Sequence, residues 1–167
     1  MHRIRKILIA AIIVLVAAAC TTVPITGRRQ LSLIPADTML AMSYQQYDQF
    51  LEKNKLSDDP QKMAMVRQVG TDIAGAVERY LRQNGRTAQL GNYNWEFNLV
   101  EDEAVNAWAM PGGKVVIYTG ILPVARGRDG LAVVMGHEIA HAVANHGNER
   151  MSQGLLAQFG GIALAEA

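Results

Sequence analysis

Cysteine is nearly absent from this 167-residue chain: there is one, Cys20, so no intramolecular disulfide can hold the fold together. Stability must come from a packed core, with or without a metal. Charge of either sign is also not in excess. Lys and Arg total 16 against 15 Asp and Glu, which removes the basic footprint of a nucleic-acid binder. The longest unbroken apolar run, Ile7 to Cys20, falls short of the about 20 residues that a spanning helix needs. Internal repeats and low-complexity tracts are missing too. The length leaves room for one domain with a real core.

What is present begins with "MHRIRKILIAAIIVLVAAAC". A basic start, an apolar stretch and three small residues, Ala17, Ala18 and Ala19, follow the three-part form of a secretory signal. Small residues directly before a cysteine resemble a bacterial lipoprotein signal, with Ala17 standing where such signals more often carry Leu. Residues 1–19 are therefore expected to be removed and Cys20 to carry lipid; ordinary cleavage and a retained anchor are the alternatives. Arg3, Arg5 and Lys6 are expected to stay cytoplasmic, so that the rest of the chain faces the periplasm or outside. Thr21, rather than Asp, after Cys20 favours the outer membrane of a diderm cell. Beyond the first twenty residues there are 13 basic and 15 acidic residues, a mildly acidic soluble remainder. Residues 20–36, with Pro24, Gly27 and Pro35, read as an extended tether.

Asp37 can cap a helix over 38–53 with Leu40, Tyr44, Tyr47 and Leu51 along one face. Pro60 starts a second helix that Asn84-Gly85 ends; Val66, Ile73, Val77 and Leu81 lie on its apolar stripe, and Met63 and Met65 read as core filler. "NYNWEFNLV" alternates Tyr93, Trp95, Phe97 and Leu99 against Asn94, Glu96 and Asn98, the pattern of a half-buried strand. Glu101, Asp102 and Glu103 make a solvated acidic turn, followed by a short extended piece and a Pro-Gly-Gly corner. A second strand covers 114–119 and a short helix 121–125. A long apolar helix then runs over 131–145, closed by Gly147, and the segment 149–167 reads as helical.

That long helix carries "MGHEIAHAVANH", with three of the chain's four histidines. His137-Glu138-Ile139-Ala140-His141 matches H-E-x-x-H. Imidazoles four residues apart project from one helix face and can hold one Zn²⁺. Glu138 sits about 100° round the helix, where it can take a proton from a water that zinc acidifies to a pKa of about 7. A chance match in a chain of this length is of order one in a few hundred. The competing reading is a pair of surface histidines on a helix.

His146 stands nine residues from His137, on the opposite side, and is expected at the helix C-terminus beside the dipole. The extended motif with a third histidine needs Gly at 144 and His at 147; Ala144 and Gly147 exclude it. A hydrolytic zinc needs three protein ligands and an open position. Glu149 is too close on the turn out of the same helix; Glu166, at a spacing some zinc peptidases use but with only Ala167 after it, is the alternative within the chain. The third ligand is therefore expected beyond Ala167, in a longer protein of which this chain is the N-terminal part.

Three blocks, "VPITGRRQLSLIP", "VNAWAMPGGKVVIYTGIL" and "MGHEIAHAVANHGNERMSQ", in that order, resemble the HtpX-like zinc metallopeptidases (peptidase family M48), in their secreted bacterial lipoprotein branch. The resemblance implies an α+β, zincin-like domain, here residues 37–167 and partial. It implies Glu138 as the catalytic residue, His137 and His141 as ligands of one Zn²⁺, and a third ligand, a Glu, on a later helix. The strand from Lys114 to Thr119 would hold an extended substrate by main-chain pairing. The expected function is a zinc endopeptidase for misfolded or misassembled envelope proteins, with this part alone weakly active or inactive. Its partners would be protein substrates and, through Cys20, the membrane. One rival is a periplasmic chaperone or adaptor lipoprotein on the same fold. Another is zinc hydrolysis of a cell-wall amide.

Overall fold

The computed structural model describes residues 20–23 and 27–165. The expected signal segment, residues 1–19, and Glu166 lie outside the described residues. The chain divides into two compact units, one of residues 36–143 and one in which residues 20–35 join residues 144–165.

The larger unit is α+β and layered around a three-stranded sheet. Helix α1 (Ala36–Lys53) and helix α2 (Pro60–Gln83) precede strands β3 (Glu96–Val100), β4 (Ala107–Met110) and β5 (Lys114–Tyr118). The short helix α3 (Leu122–Ala125) and the long helix α4 (Arg128–Val143) follow. Asp59 caps α2: its carboxylate accepts from the Gln61 and Lys62 amides, both at 3.0 Å, and Pro60 fills the first turn. Asp37, expected as the cap of α1, lies inside its first turn instead, where its charge meets the helix dipole. The deepest face of α1 is Met39, Ser43 and Tyr47 rather than the stripe through Leu40 and Leu51. Ser43 is buried because its hydroxyl donates to the Pro111 carbonyl at 2.6 Å.

The strand order is β3–β5–β4, with β3 parallel and β4 antiparallel to β5. This corrects two expectations. The extended piece before Pro111 is a full strand. The strand at 114–118 is central, paired on both sides, so it has no free edge to hold a substrate. The hairpin corner at Gly112 and Gly113 has φ of 89° and 83°, a region glycine enters without strain.

Alternation along β3 sends Phe97 and Leu99 to one side, where Val115 and Ile117 of β5, Val66 and Val69 of α2, and Leu131, Met135 and Ile139 of α4 complete the main core. Helix α2 crosses closely here: a side chain at Gly70 would run into the Phe97 ring. The opposite side is covered as well, by Tyr47 of α1 with Val100 and Val116. The half-buried strand expected from the alternation is therefore buried on both faces. Its polar residues are satisfied internally. Asn98 donates to the Tyr47 hydroxyl at 2.9 Å, and Lys114, itself buried, reaches Glu96 at 3.1 Å.

In the smaller unit, strand β1 (Cys20–Thr22) pairs antiparallel with β2 (Arg29–Leu31), Cys20 opposite Leu31. The expected tether is thus extended but built into a hairpin. Helix α5 (His146–Ala165) is its partner. Gln30, buried, donates to the Ala144 carbonyl at 3.0 Å, and Asn148 to the Ile34 carbonyl at 2.8 Å. The fully buried Ser152 hydroxyl accepts from the Leu33 amide at 2.9 Å and donates to Asn148 at 3.0 Å. Arg28 grips Glu149 with two hydrogen bonds, at 2.7 and 2.5 Å. Among the described residues, no helix is long and apolar enough to cross a membrane.

Candidate functional site

Helix α4 turns Leu131, Met135, Ile139 and Val143 into the core, four residues apart. That register leaves His137 and His141 on the outward side. Their rings meet edge to face, centroids 4.5 Å apart and planes at 89°. Their Nε2 atoms approach to 3.0 Å, a contact in which one nitrogen donates and the other accepts, according to tautomer. Two nitrogens on a tetrahedral zinc, each 2.0–2.1 Å from the ion, stand about 3.3 Å apart. The pair needs to open by only about 0.3 Å to share a metal. The donor set is thus suited to zinc, but it is two imidazoles and no more. Among the described residues, no cluster of three His, Cys, Asp or Glu converges on a common point.

Glu138, half-buried, lines a groove of about 400 Å³ with His137. Val105, Asn106 and Ile121 face Val133 and Val134 across it. The groove includes Ala107, the start of β4, which is one edge of the sheet. By the alternation of an antiparallel ladder, Ala107 and Ala109 direct their amides and carbonyls away from β5. The Ala107 amide is already held by the Asn106 side chain at 2.9 Å, which leaves the Ala107 carbonyl and both groups of Ala109.

Three other expectations change. Helix α4 ends at Val143, and the left-handed residue after it is Asn145, with φ of 56°, not Gly147. Asn tolerates that conformation better than any residue but glycine. His146 consequently opens α5 rather than closing α4. Glu149 lies in the first turn of α5, its carboxylate held below the ordinary range chiefly by the Arg28 hydrogen bonds. It is a clasp residue. A Cβ at Gly136, beside His137, would meet nothing within 4 Å. No sequence motif marks the groove walls. Their one legible sign is a helix too apolar on both faces, with Val133 outward as well as Leu131 and Met135 inward.

The profile of peptidase family M48 matches residues 68–167, from α2 through the two histidines to the end of the chain. The chain belongs to peptidase family M48. Among M48 relatives, the mitochondrial metalloendopeptidase OMA1 of Schizosaccharomyces pombe is 33% identical over 130 residues, 78% of this chain and 36% of that protein. Metalloprotease YcaL of Escherichia coli is 30% identical over 84 residues, 46% of this chain and 32% of its own. A Vibrio cholerae protein provisionally named as a beta-barrel assembly-enhancing protease is 40% identical over 50 residues, 30% of this chain and 10% of that one. The chain spans about a third or less of the length of these curated relatives.

Proposed function

We propose that this chain carries the zinc-binding part of an M48 endopeptidase of the HtpX-like lipoprotein branch, with residues 37–167 forming the zincin-like catalytic portion. The observation that carries the reading is the 3.0 Å approach of the His137 and His141 Nε2 atoms, with His137 lining a groove that Glu138 also lines. His137 and His141 would hold one Zn²⁺ per chain, and the third protein ligand would come from outside residues 20–165. Bound there, zinc supplies a Lewis acid that polarises a peptide carbonyl and makes water acidic enough to react at neutral pH.

This chain's own residues do the rest. Glu138 takes the proton of the attacking water and hands it to the leaving amine. Strand β4, an open edge of the sheet, holds the substrate backbone through Ala107 and Ala109, the task expected of 114–119. The membrane-tethered, periplasm-facing setting is supported by the lipoprotein-like signal before Cys20. A role in hydrolysing misfolded or misassembled envelope proteins is supported by the name of the Vibrio cholerae relative, a beta-barrel assembly-enhancing protease.

The test has two arms. Zinc retained after dialysis against a mild chelator is expected only in the full-length protein; near one zinc per chain in residues 21–167 alone would place the third ligand inside them. Glu138→Gln is expected to lower casein hydrolysis at least about a hundredfold while zinc content and substrate capture persist. The open edge of β4 equally suits a chaperone or adaptor. An unchanged cellular phenotype for Glu138→Gln would favour that second reading.

A further inference from the structure

Val105 and Val133 are large apolar side chains left 60% and 74% exposed. Both line the groove that His137 and Glu138 share. Val133 precedes His137 by four residues, so it stands on the same helix face one turn upstream. Across from it, Val105 sits on the loop entering β4, the sheet edge. The floor between them is Ile121 and Ala107, 8% and 9% exposed, both part of the main core. Among the described residues, no Lys or Arg lines the groove, and its one carboxylate is Glu138.

We propose that Val105 and Val133 are the walls of a specificity subsite that accepts an apolar substrate side chain beside the scissile bond. The inference rests on the endopeptidase reading of the preceding subsection. A peptide lying along β4 would present side chains alternately toward and away from the groove. The one turned inward, next to Glu138, meets two valines and an apolar floor. Burying an apolar group there is favourable. An acidic side chain would lose its hydration, gain no cation and face the Glu138 carboxylate. The chain therefore selects apolar residues and rejects Asp and Glu at that position.

The experiment is cleavage-site profiling of the full-length, zinc-loaded protein on a denatured-proteome peptide library, with cut sites read by mass spectrometry. Cuts next to Leu, Met, Phe or Val are expected to exceed cuts next to Asp or Glu by about tenfold or more. In Val133→Lys the ratio is expected to fall by at least about tenfold, because the new cation pairs with acidic side chains and displaces apolar ones. Val105→Lys, on the opposite wall, gives an independent reading if Val133→Lys does not fold, as judged by its thermal melt. Only the ratio within one variant is used, so a general loss of rate does not mimic the effect. No apolar preference in the parent protein, or the same preference in the lysine variants, would overturn the subsite and leave the endopeptidase standing. No zinc-dependent cut by the parent protein would overturn both.

Discussion

The two units are built on opposite principles. Residues 36–143 hold together by apolar side chains on both faces of a sheet, with Leu99, Val115, Val116, Ile117, Leu131 and Met135 all at 0% exposure. The hairpin and α5 are joined by hydrogen bonds: Gln30, Asn148 and Ser152 are buried polar groups, and an Arg28–Glu149 fork closes the outside. Burial of apolar surface tolerates small shifts, because it is non-directional. A set of polar bonds does not, since any buried partner left unpaired costs about 1–3 kcal/mol. The unit that holds His137, Glu138 and His141 is therefore the robust one. The clasp is the one that can be released.

The largest expected effect breaks the first half of this contrast. Ile117→Ala, in the middle of the central strand, should lower stability by about 2–5 kcal/mol and shift the whole thermal transition. Ser152→Ala comes next. It leaves the Leu33 amide and one side of Asn148 without their partner, at about 1–3 kcal/mol. Its effect should show as faster amide exchange confined to residues 28–34 and 144–152. Exchange accelerated equally in β3 and β5 would mean that the two units melt as one and would break the comparison.

The smallest effect is a pH and salt dependence of the clasp. Arg28 holds the Glu149 carboxylate below its ordinary value, so the stabilisation is present above that value and is lost as pH falls through the lowered one. Exchange in α5 should rise only below the ordinary glutamate pKa of about 4.3, and salt should raise it modestly because the pair is exposed to solvent. Arg28→Ala should remove both dependences. A clasp equally acid-sensitive in that variant would assign the effect to another group.

Local signals were well recorded in the residues. H-E-x-x-H on a helix, Pro60 opening α2 and Asn84-Gly85 ending it depend on neighbours a few positions apart, and each stands where the pattern puts it. The stop of α4 was misplaced by two residues because Asn145 and Gly147 both suit a left-handed cap, and only Asn145 adopts it. Strand order was not legible. That β5 is central follows from its parallel pairing with β3 across 18 residues of sequence, Glu96 opposite Lys114. Nothing in "KVVIYTG" separates a central strand from an edge one. The four residues of β4 are too few to show a period, yet they form the edge on which the substrate reading now rests. Likewise, the tether became a hairpin through pairing with a segment nine residues away, Cys20 with Leu31 at its far end.

Cys20 opens β1, and the first fully buried side chain of the hairpin, Val23, stands three residues later. At about 3.3 Å per residue that is a leash of about 10 Å. A lipid on this cysteine would leave the folded hairpin almost no slack. A protein moored so short would be confined to a two-dimensional surface, and would meet chains as they emerge at the membrane rather than those already adrift.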